Sequence, residues 1–278
     1  MREGSAAVTP IREREGSRAA TGGSPMLRSL RDLFGYGVEA RDGSIGKVRD
    51  ALFDDERWVA RYLVVDTGRW LERHRVLISP LAVERVEWAD WLIWLRLTRA
   101  QVQRSPEIDA HRPVSRQHEL EVAGYYGWPN YWDGSALWGL AMTPSALMEA
   151  AAAVHAGDPS PAMPEGDRHL QSARDTMGYR IAATDGEIGH VDDFIVDDES
   201  WAVRYMVVDT RNWLPGRKVL VATEWIREMR WSDASAVVDL SRGAIEKSPD
   251  FDPAEPVNRE AEVQLYDYYG RPHAWGEK

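Results

Sequence analysis

The chain repeats itself. Residues 35–132 realign on residues 178–275 at a constant offset of 143 without a gap, and 39 of the 98 paired positions are identical. Asp42-Gly43 pairs with Asp185-Gly186, and Ile45-Gly46 with Ile188-Gly189. Asp54-Asp55-Glu56 and Trp58 return as Asp197-Asp198-Glu199 and Trp201, and Arg61-Tyr62 returns as Arg204-Tyr205. Val64-Val65-Asp66-Thr67, Trp70-Leu71, Ser105-Pro106 and Tyr125-Tyr126-Gly127 recur in the same order as Val207 to Thr210, Trp213-Leu214, Ser248-Pro249 and Tyr268-Tyr269-Gly270. A duplication of this kind restricts the fold to two copies of one unit, each with a modest core.

Each copy reads as short strands. Asp42-Gly43 predicts a two-residue type I′ hairpin, which needs positive φ at both central positions. It joins a strand around Val38 to one over Ile45 to Phe53. Asp54-Asp55-Glu56 makes the next turn, because short acidic side chains bond their own backbone. Trp58 to Thr67 is rich in β-branched and aromatic residues, as a buried strand requires. Val76 to Ile78, Val83 to Trp88 and Trp91 to Leu97 supply the others, and the second copy repeats the order from Ile181 through Leu240. Six short strands with tight turns point to a small barrel, which hides its sheet edges.

Helical extensions follow the strands. Thr98 with Gln101 is a capping box for a helix that stops near Ser105-Pro106. Ser115 and Asn258 are N-caps for second helices ending at the Tyr-Tyr-Gly triplets. The organisation is therefore a disordered tail over 1–25, a first domain over 26–132, a linker over 133–171 and a second domain over 172–278. In the linker, Leu147 to Val154 forms one marginal helix, ended by Gly157 and followed by Pro159, Pro161 and Pro164. Such a linker predicts separately folded units with adjustable spacing. Met26 opens the first folded segment and is a candidate translation start.

The ordered motifs resemble the PRC-barrel family. They are a Gly-Tyr start, Asp-Gly-x-Ile-Gly-x-Val, the acidic turn, Trp-x-x-Arg-Tyr-x-Val-Val-Asp-Thr, Trp-Leu, and the Val-Leu strands at Val76-Leu77 and Val219-Leu220. The resemblance covers about 35–100 and 178–243. It implies an all-β chain with short helical extensions: two tandem six-stranded barrels joined by a linker. Barrels of this family occur in the cytoplasmic part of the photosynthetic reaction-centre H subunit and at the end of a ribosome maturation factor, where they dock without catalytic residues of their own. This chain lacks the membrane helix of the one and the separate N-terminal domain of the other.

Composition excludes several classes. Net charge is −11 from 34 basic and 45 acidic residues, which opposes nucleic-acid binding driven by phosphate contacts and adsorption to anionic lipid. No run of apolar residues is long enough to span a membrane, and the tail has no apolar core of a secretory signal. With no Cys there is no disulfide, thiolate nucleophile or thiolate metal site.

The chemistry-bearing residues read as structural. Asp50 with Asp54 to Glu56, and Asp192, Asp193 with Asp197 to Glu199, match no Ca²⁺ loop and read as turns and solubilising charge. Asp66 and Asp209 close their strands by bonding backbone or the nearby Arg61 and Arg204. The seven His are dispersed, none recurs between copies, and none has zinc-ligand spacing or a nucleophile partner. No catalytic residue, cofactor or metal is expected.

The candidate interaction surface is aromatic, because Tyr and Trp dominate interface hot spots. It comprises Trp91, Tyr125, Tyr126, Trp128, Trp132, Tyr268, Tyr269 and Trp275; the competing reading is that the tails pack on their own barrels. Trp91 and Trp94 alternate along one strand and become Ala234 and Val237 in the second copy, so the first copy offers an aromatic patch the second lacks. The expected function is a non-enzymatic scaffold or adaptor docking onto protein partners, cytoplasmic or peripheral on the cytoplasmic face of the membrane. The alternative is a reaction-centre H-subunit-like component in light-driven electron transfer. Homodimerisation is compatible with either.

Overall fold

The computed structural model describes residues 26–68, 74–106, 114–153, 169–210 and 217–275. The 1–25 tail, the Trp70-Leu71 and Trp213-Leu214 pairs, and the Gly157 to Pro164 stretch lie outside the described residues. The described chain is mostly β, in two seven-stranded sheets with a few short helices. In the first half β2 (Gly37–Ala40), β3 (Gly43–Asp54), β4 (Val59–Asp66), β5 (Arg75–Ile78), β6 (Val83–Glu87) and β7 (Leu92–Leu95) are ordered β5-β4-β3-β2-β7-β6. In the second, β9 (Arg180–Ala183), β10 (Gly186–Asp197), β11 (Val203–Asp209), β12 (Lys218–Ala222), β13 (Ile226–Arg230) and β14 (Ser235–Val238) are ordered β12-β11-β10-β9-β14-β13. Each sheet gains a seventh strand from the other half. β1 (Leu27–Ser29) lies on β10, and β8 (Leu170–Ser172) on β3.

The hydrogen-bonded order is open, since no ladder joins β5 to β6, or β12 to β13, among the described residues. Those end strands are nevertheless consecutive in the chain. Only Ser79 and a 3₁₀ turn over Pro80–Ala82 separate β5 from β6, but the two sheets are not closed into the six-stranded barrels that the resemblance implied.

Local chemistry sets the element ends. Thr98 forms the expected capping box with Gln101 at the start of α1 (Arg99–Gln103). Ser115 and Asn258 cap α2 (Arg116–Tyr126) and α6 (Arg259–Tyr269), which end on the left-handed Gly127 and Gly270. The remaining helices are α3 (Pro144–Ala153), α4 (Ala173–Thr176) and α5 (Arg242–Glu246), α3 taking the place of the marginal helix expected from Leu147. The Asp-Gly hairpins form, but not as type I′ turns. Arg41 and Asp42 fill the turn between the paired Ala40 and Gly43, and only Gly43 carries a positive φ (136°). Asp42 is instead drawn to the first turn of α1, accepting from Arg99 N at 2.7 Å, and Asp185 does the same for Arg242 N.

The two halves interlock about a pseudo-two-fold axis. Ser29 Oγ donates to Asp193 at 2.5 Å, and Ser172 Oγ to Asp50 at 2.6 Å. Arg31 N and Arg174 N donate to the same two carboxylates, each at 3.0 Å. Adding 143 to one set gives the other, so the repeat reaches upstream to β1 and β8. On the axis Val59 bridges its own counterpart Ala202. There Ala60 N donates to Trp201 O and Val203 N to Trp58 O. Trp58 and Trp201 hold left-handed φ values of 54° and 59°, a cost of about 1–3 kcal/mol each that this paired backbone fixes in place. Phe53 and Phe194 meet between the halves at 5.5 Å, and the buried apolar residues form one continuous core. The halves are thus one interlocked unit, and not the separately folded, adjustably spaced pair that the linker predicted. A self-complementary interface of this kind is what a two-fold homodimer uses; here both copies lie in one chain.

Candidate interaction surface

The aromatic tails divide between anchor and surface. Tyr125 and Tyr268 are 41% and 39% exposed, yet each hydroxyl donates to a carbonyl of the preceding short helix, Gln101 O and Ala244 O, both at 2.7 Å. Tyr126 stacks on Trp128 at 4.2 Å, and Trp128 is buried. Tyr269 meets Trp225 edge-on at 4.9 Å. Trp132 and Trp275 lie beneath guanidinium groups, Arg116 at 4.4 Å and Arg259 at 4.2 Å. Burial pushes the Tyr126 and Tyr269 phenols up to about 12. The tails therefore chiefly pack within their own half, tying α2 to α1, and α6 to α5 and the Thr223–Trp225 turn.

One buried polar centre was not anticipated. Arg61 has no solvent exposure; its guanidinium reaches Asp54 at 2.9 Å and Leu137 O at 2.7 Å. The ring of Tyr131 covers it at 4.0 Å, and that of Trp138 at 4.8 Å. Burial raises Asp54, but the charge and hydrogen bonds of Arg61 outweigh it and leave the carboxyl below its ordinary range. Alongside, Tyr131 Oη donates to Glu119 at 2.6 Å, with His169 Nε2 3.1 Å from the same carboxylate. Burial and the Glu119 charge hold both the Tyr62 and the Tyr131 phenols well above their usual value. The recurrence of Arg61, Arg116 and Glu119 as Arg204, Arg259 and Glu262, with Arg61 inside an apolar strand, was the available sequence signal.

The acidic turns are structural in a different manner from that expected. Asp54 Oδ1 and Asp197 Oδ1 do accept the turn amides of Glu56, Arg57, Glu199 and Ser200. Asp193 is buried and Asp50 half-buried where the strands exchange, although both were expected as solubilising charge, and burial raises both carboxyls. Asp66 bonds Gly68 N and Arg49, not Arg61.

The most exposed aromatic among the described residues is Trp91, at 67%. It does not lie in the strand with Trp94; it precedes β7 at the hairpin tip with φ of 59°. Ala234 takes the same left-handed conformation in the second half, with φ of 47°. Trp91 stacks on Tyr36 at 6.3 Å, and Tyr36 meets Trp88 edge-on at 6.0 Å. Trp88 in turn carries Arg28 at 4.8 Å and lines a groove of about 240 Å³ at the seam between the halves. One wall is Val83 through Val86 of β6, and the other is Asp198, Glu199 and Trp201 of the second half. Four consecutive strand residues border this groove, Val83 and Val86 packed on the core and Glu84 and Arg85 exposed, with a bulge between Val83 and Arg85. It therefore runs along the edge of β6 and not over one face. Among the described residues that edge is open: β6 ends its sheet, with β7 as its neighbour.

No helix among the described residues is long and apolar enough to cross a membrane, and no group of three or more His, Asp or Glu among them is placed to hold a metal ion. Comparison with known proteins finds no protein-family model that matches the chain and no curated protein that matches its sequence.

Proposed function

We propose that the chain is a non-enzymatic docking module, a scaffold or adaptor whose two halves are PRC-like barrels. In this reading each half is a PRC-like barrel left open between its end strands, which the Pro80–Ala82 corner and its Thr223–Trp225 counterpart connect along the chain. The observation that carries the docking role is the first-half hairpin. A Trp exposed at a strained tip is joined through Tyr36 and Trp88 to a seam groove that borders an end strand of the sheet. An exposed Trp contributes little to folding, whereas buried Trp is prominent among interface hot spots. The ionisable groups of the interior support the same reading, because they hold one another: Arg61 with Asp54, and Glu119 with Tyr131 and His169.

The partner is a protein, met in the cytoplasm or at the cytoplasmic face of a membrane complex. The test is cross-linking of tagged chain in native extract, with the membrane fraction pelleted at low and high salt, comparing wild type with Trp91→Ala. Docking predicts a discrete cross-linked product that Trp91→Ala loses while its unfolding midpoint stays within error of wild type. A product pattern identical for both chains would falsify this role for the hairpin.

A further inference from the structure

We infer that the groove receives an extended segment of the partner, which adds to β6 as one more strand of the first sheet. This rests on the docking role above and names the form of the partner. The ladder geometry identifies the backbone groups concerned. Gly37 N donates to Trp91 O, so in the parallel pairing of β2 with β7 the amides of Trp91 and Ile93 turn toward β2. Leu92 and Trp94 then face β6, where they pair with Glu87 and Arg85. Val86, between those two, directs its N–H and C=O away from β7 into the groove that its residue borders. An unpaired row of this kind is completed by another extended backbone.

The opposite wall limits the occupant. Asp198, Glu199 and Trp201 line the groove together with β6, so a strand added to β6 would lie against the second half. Charge sets the composition. Asp198 is already held by Met26 N at 2.8 Å and by Arg28 at 3.5 Å, and Arg85 by Glu87 at 2.9 Å. Glu199 and Arg96 are exposed and border the groove, and neither has an ion pair among the described residues. An extended segment with one basic and one acidic residue matches them. The second half has the edge strand β13 but Ala234 at its tip, and the segment that brings Pro144 and Ser145 to the groove has no counterpart among its described residues.

The probe is a displayed library of random dodecapeptides, selected on the full chain and counter-selected on Val86→Pro. Proline is tolerated on an edge strand when its missing N–H faces outward, so this variant keeps the sheet and removes the groove's donor. The expected result is a set of mixed-charge peptides that bind wild type at least tenfold tighter than Val86→Pro. In their presence the Val86 amide of the wild-type chain exchanges its hydrogen at least tenfold more slowly. The exchange measurement stands even if the proline variant fails to fold. Peptides that bind both chains equally, or leave Val86 exchange unchanged, overturn strand addition while the Trp91→Ala cross-linking result stands separately. Failure to enrich any peptide over the counter-selection overturns it as well. Concentration-dependent dimerisation of the wild type that Val86→Pro abolishes would assign the edge to a second copy and overturn the partner segment.

Discussion

The two halves share a sequence pattern and a strand order, yet they handle one conserved arginine in opposite ways. Arg61 is fully buried, whereas Arg204 at the equivalent position is exposed. Much of the difference comes from outside the repeat. The segment following the first copy returns over β4. It places Leu137 O and the Trp138 ring on Arg61, gives Gly134 O and Ala136 O to Arg57, and extends Trp138 Nε1 to Ser200 O of the second half at 2.7 Å. Within the repeat, Tyr131 becomes Ala274 and Leu81 becomes Glu224, residues suited to water. Where the phenol of Tyr131 is lost, the second half carries Tyr266 on α6 at the position of Ala123, packed on Trp225 and Trp275. Duplication supplied two equal frames, and packing from the intervening segment made one of them a closed ionic centre.

The sharpest way to break this comparison is Asp54→Asn beside Asp197→Asn. The first strands a buried guanidinium and is expected to cost about 3–5 kcal/mol. The second keeps an acceptor for its turn amides and is expected to cost about 1 kcal/mol. Urea unfolding of the two variants reads the difference directly, and equal losses would mean that Arg61 is not held as described.

The shared frame predicts equality instead. An added Cβ at Gly46 would fall 2.0 Å from Asp66 O, and one at Gly189 would fall 2.1 Å from Asp209 O. Gly46→Ala and Gly189→Ala should each destabilise by about 1–3 kcal/mol, matched to within the error of a thermal melt.

Alkaline pH should also act on both halves alike. The Tyr126 and Tyr269 phenols are raised by burial to about 12, above an unfolded value near 10. Their contribution to stability is complete below the unfolded value and is lost as pH rises from about 10 through about 12. Tyr126→Phe and Tyr269→Phe should each flatten that decline by a similar amount in the pH dependence of the unfolding midpoint.

The smallest effects belong to the left-handed hairpin tips. Ala234→Gly should stabilise by up to about 1 kcal/mol, since glycine takes positive φ without strain. Trp91→Gly should gain less, because it also gives up the stack on Tyr36. Differential scanning calorimetry on the two variants separates them, and a large loss at Trp91 would make that residue part of the core.

Much of the frame was legible in advance. The repeat, the strand positions, the capping box at Thr98 and the caps at Ser115 and Asn258 all follow from local patterns, and local patterns are what a sequence displays. Trp91 was legible as an outlier because its counterpart is Ala234. The type I′ hairpin was misread because Asp42 bonds the amide of Arg99, a residue 57 positions away, and such a partner outweighs turn propensity. The acidic pair Asp50 and Asp193 was misread for the same reason, with partners in the opposite half.

The sequence by itself determined that this protein is two copies of one short-stranded unit, through side-chain periodicity, turn chemistry and the identity of paired residues. Tertiary structure alone decided that β1 and β8 exchange between the halves, that Arg61 is enclosed while Arg204 is not, and that β6 borders a groove. Each of those outcomes depends on backbone groups meeting across more than a hundred residues. An amide that pairs with a distant strand leaves no mark on its own side chain, so the sequence cannot display it.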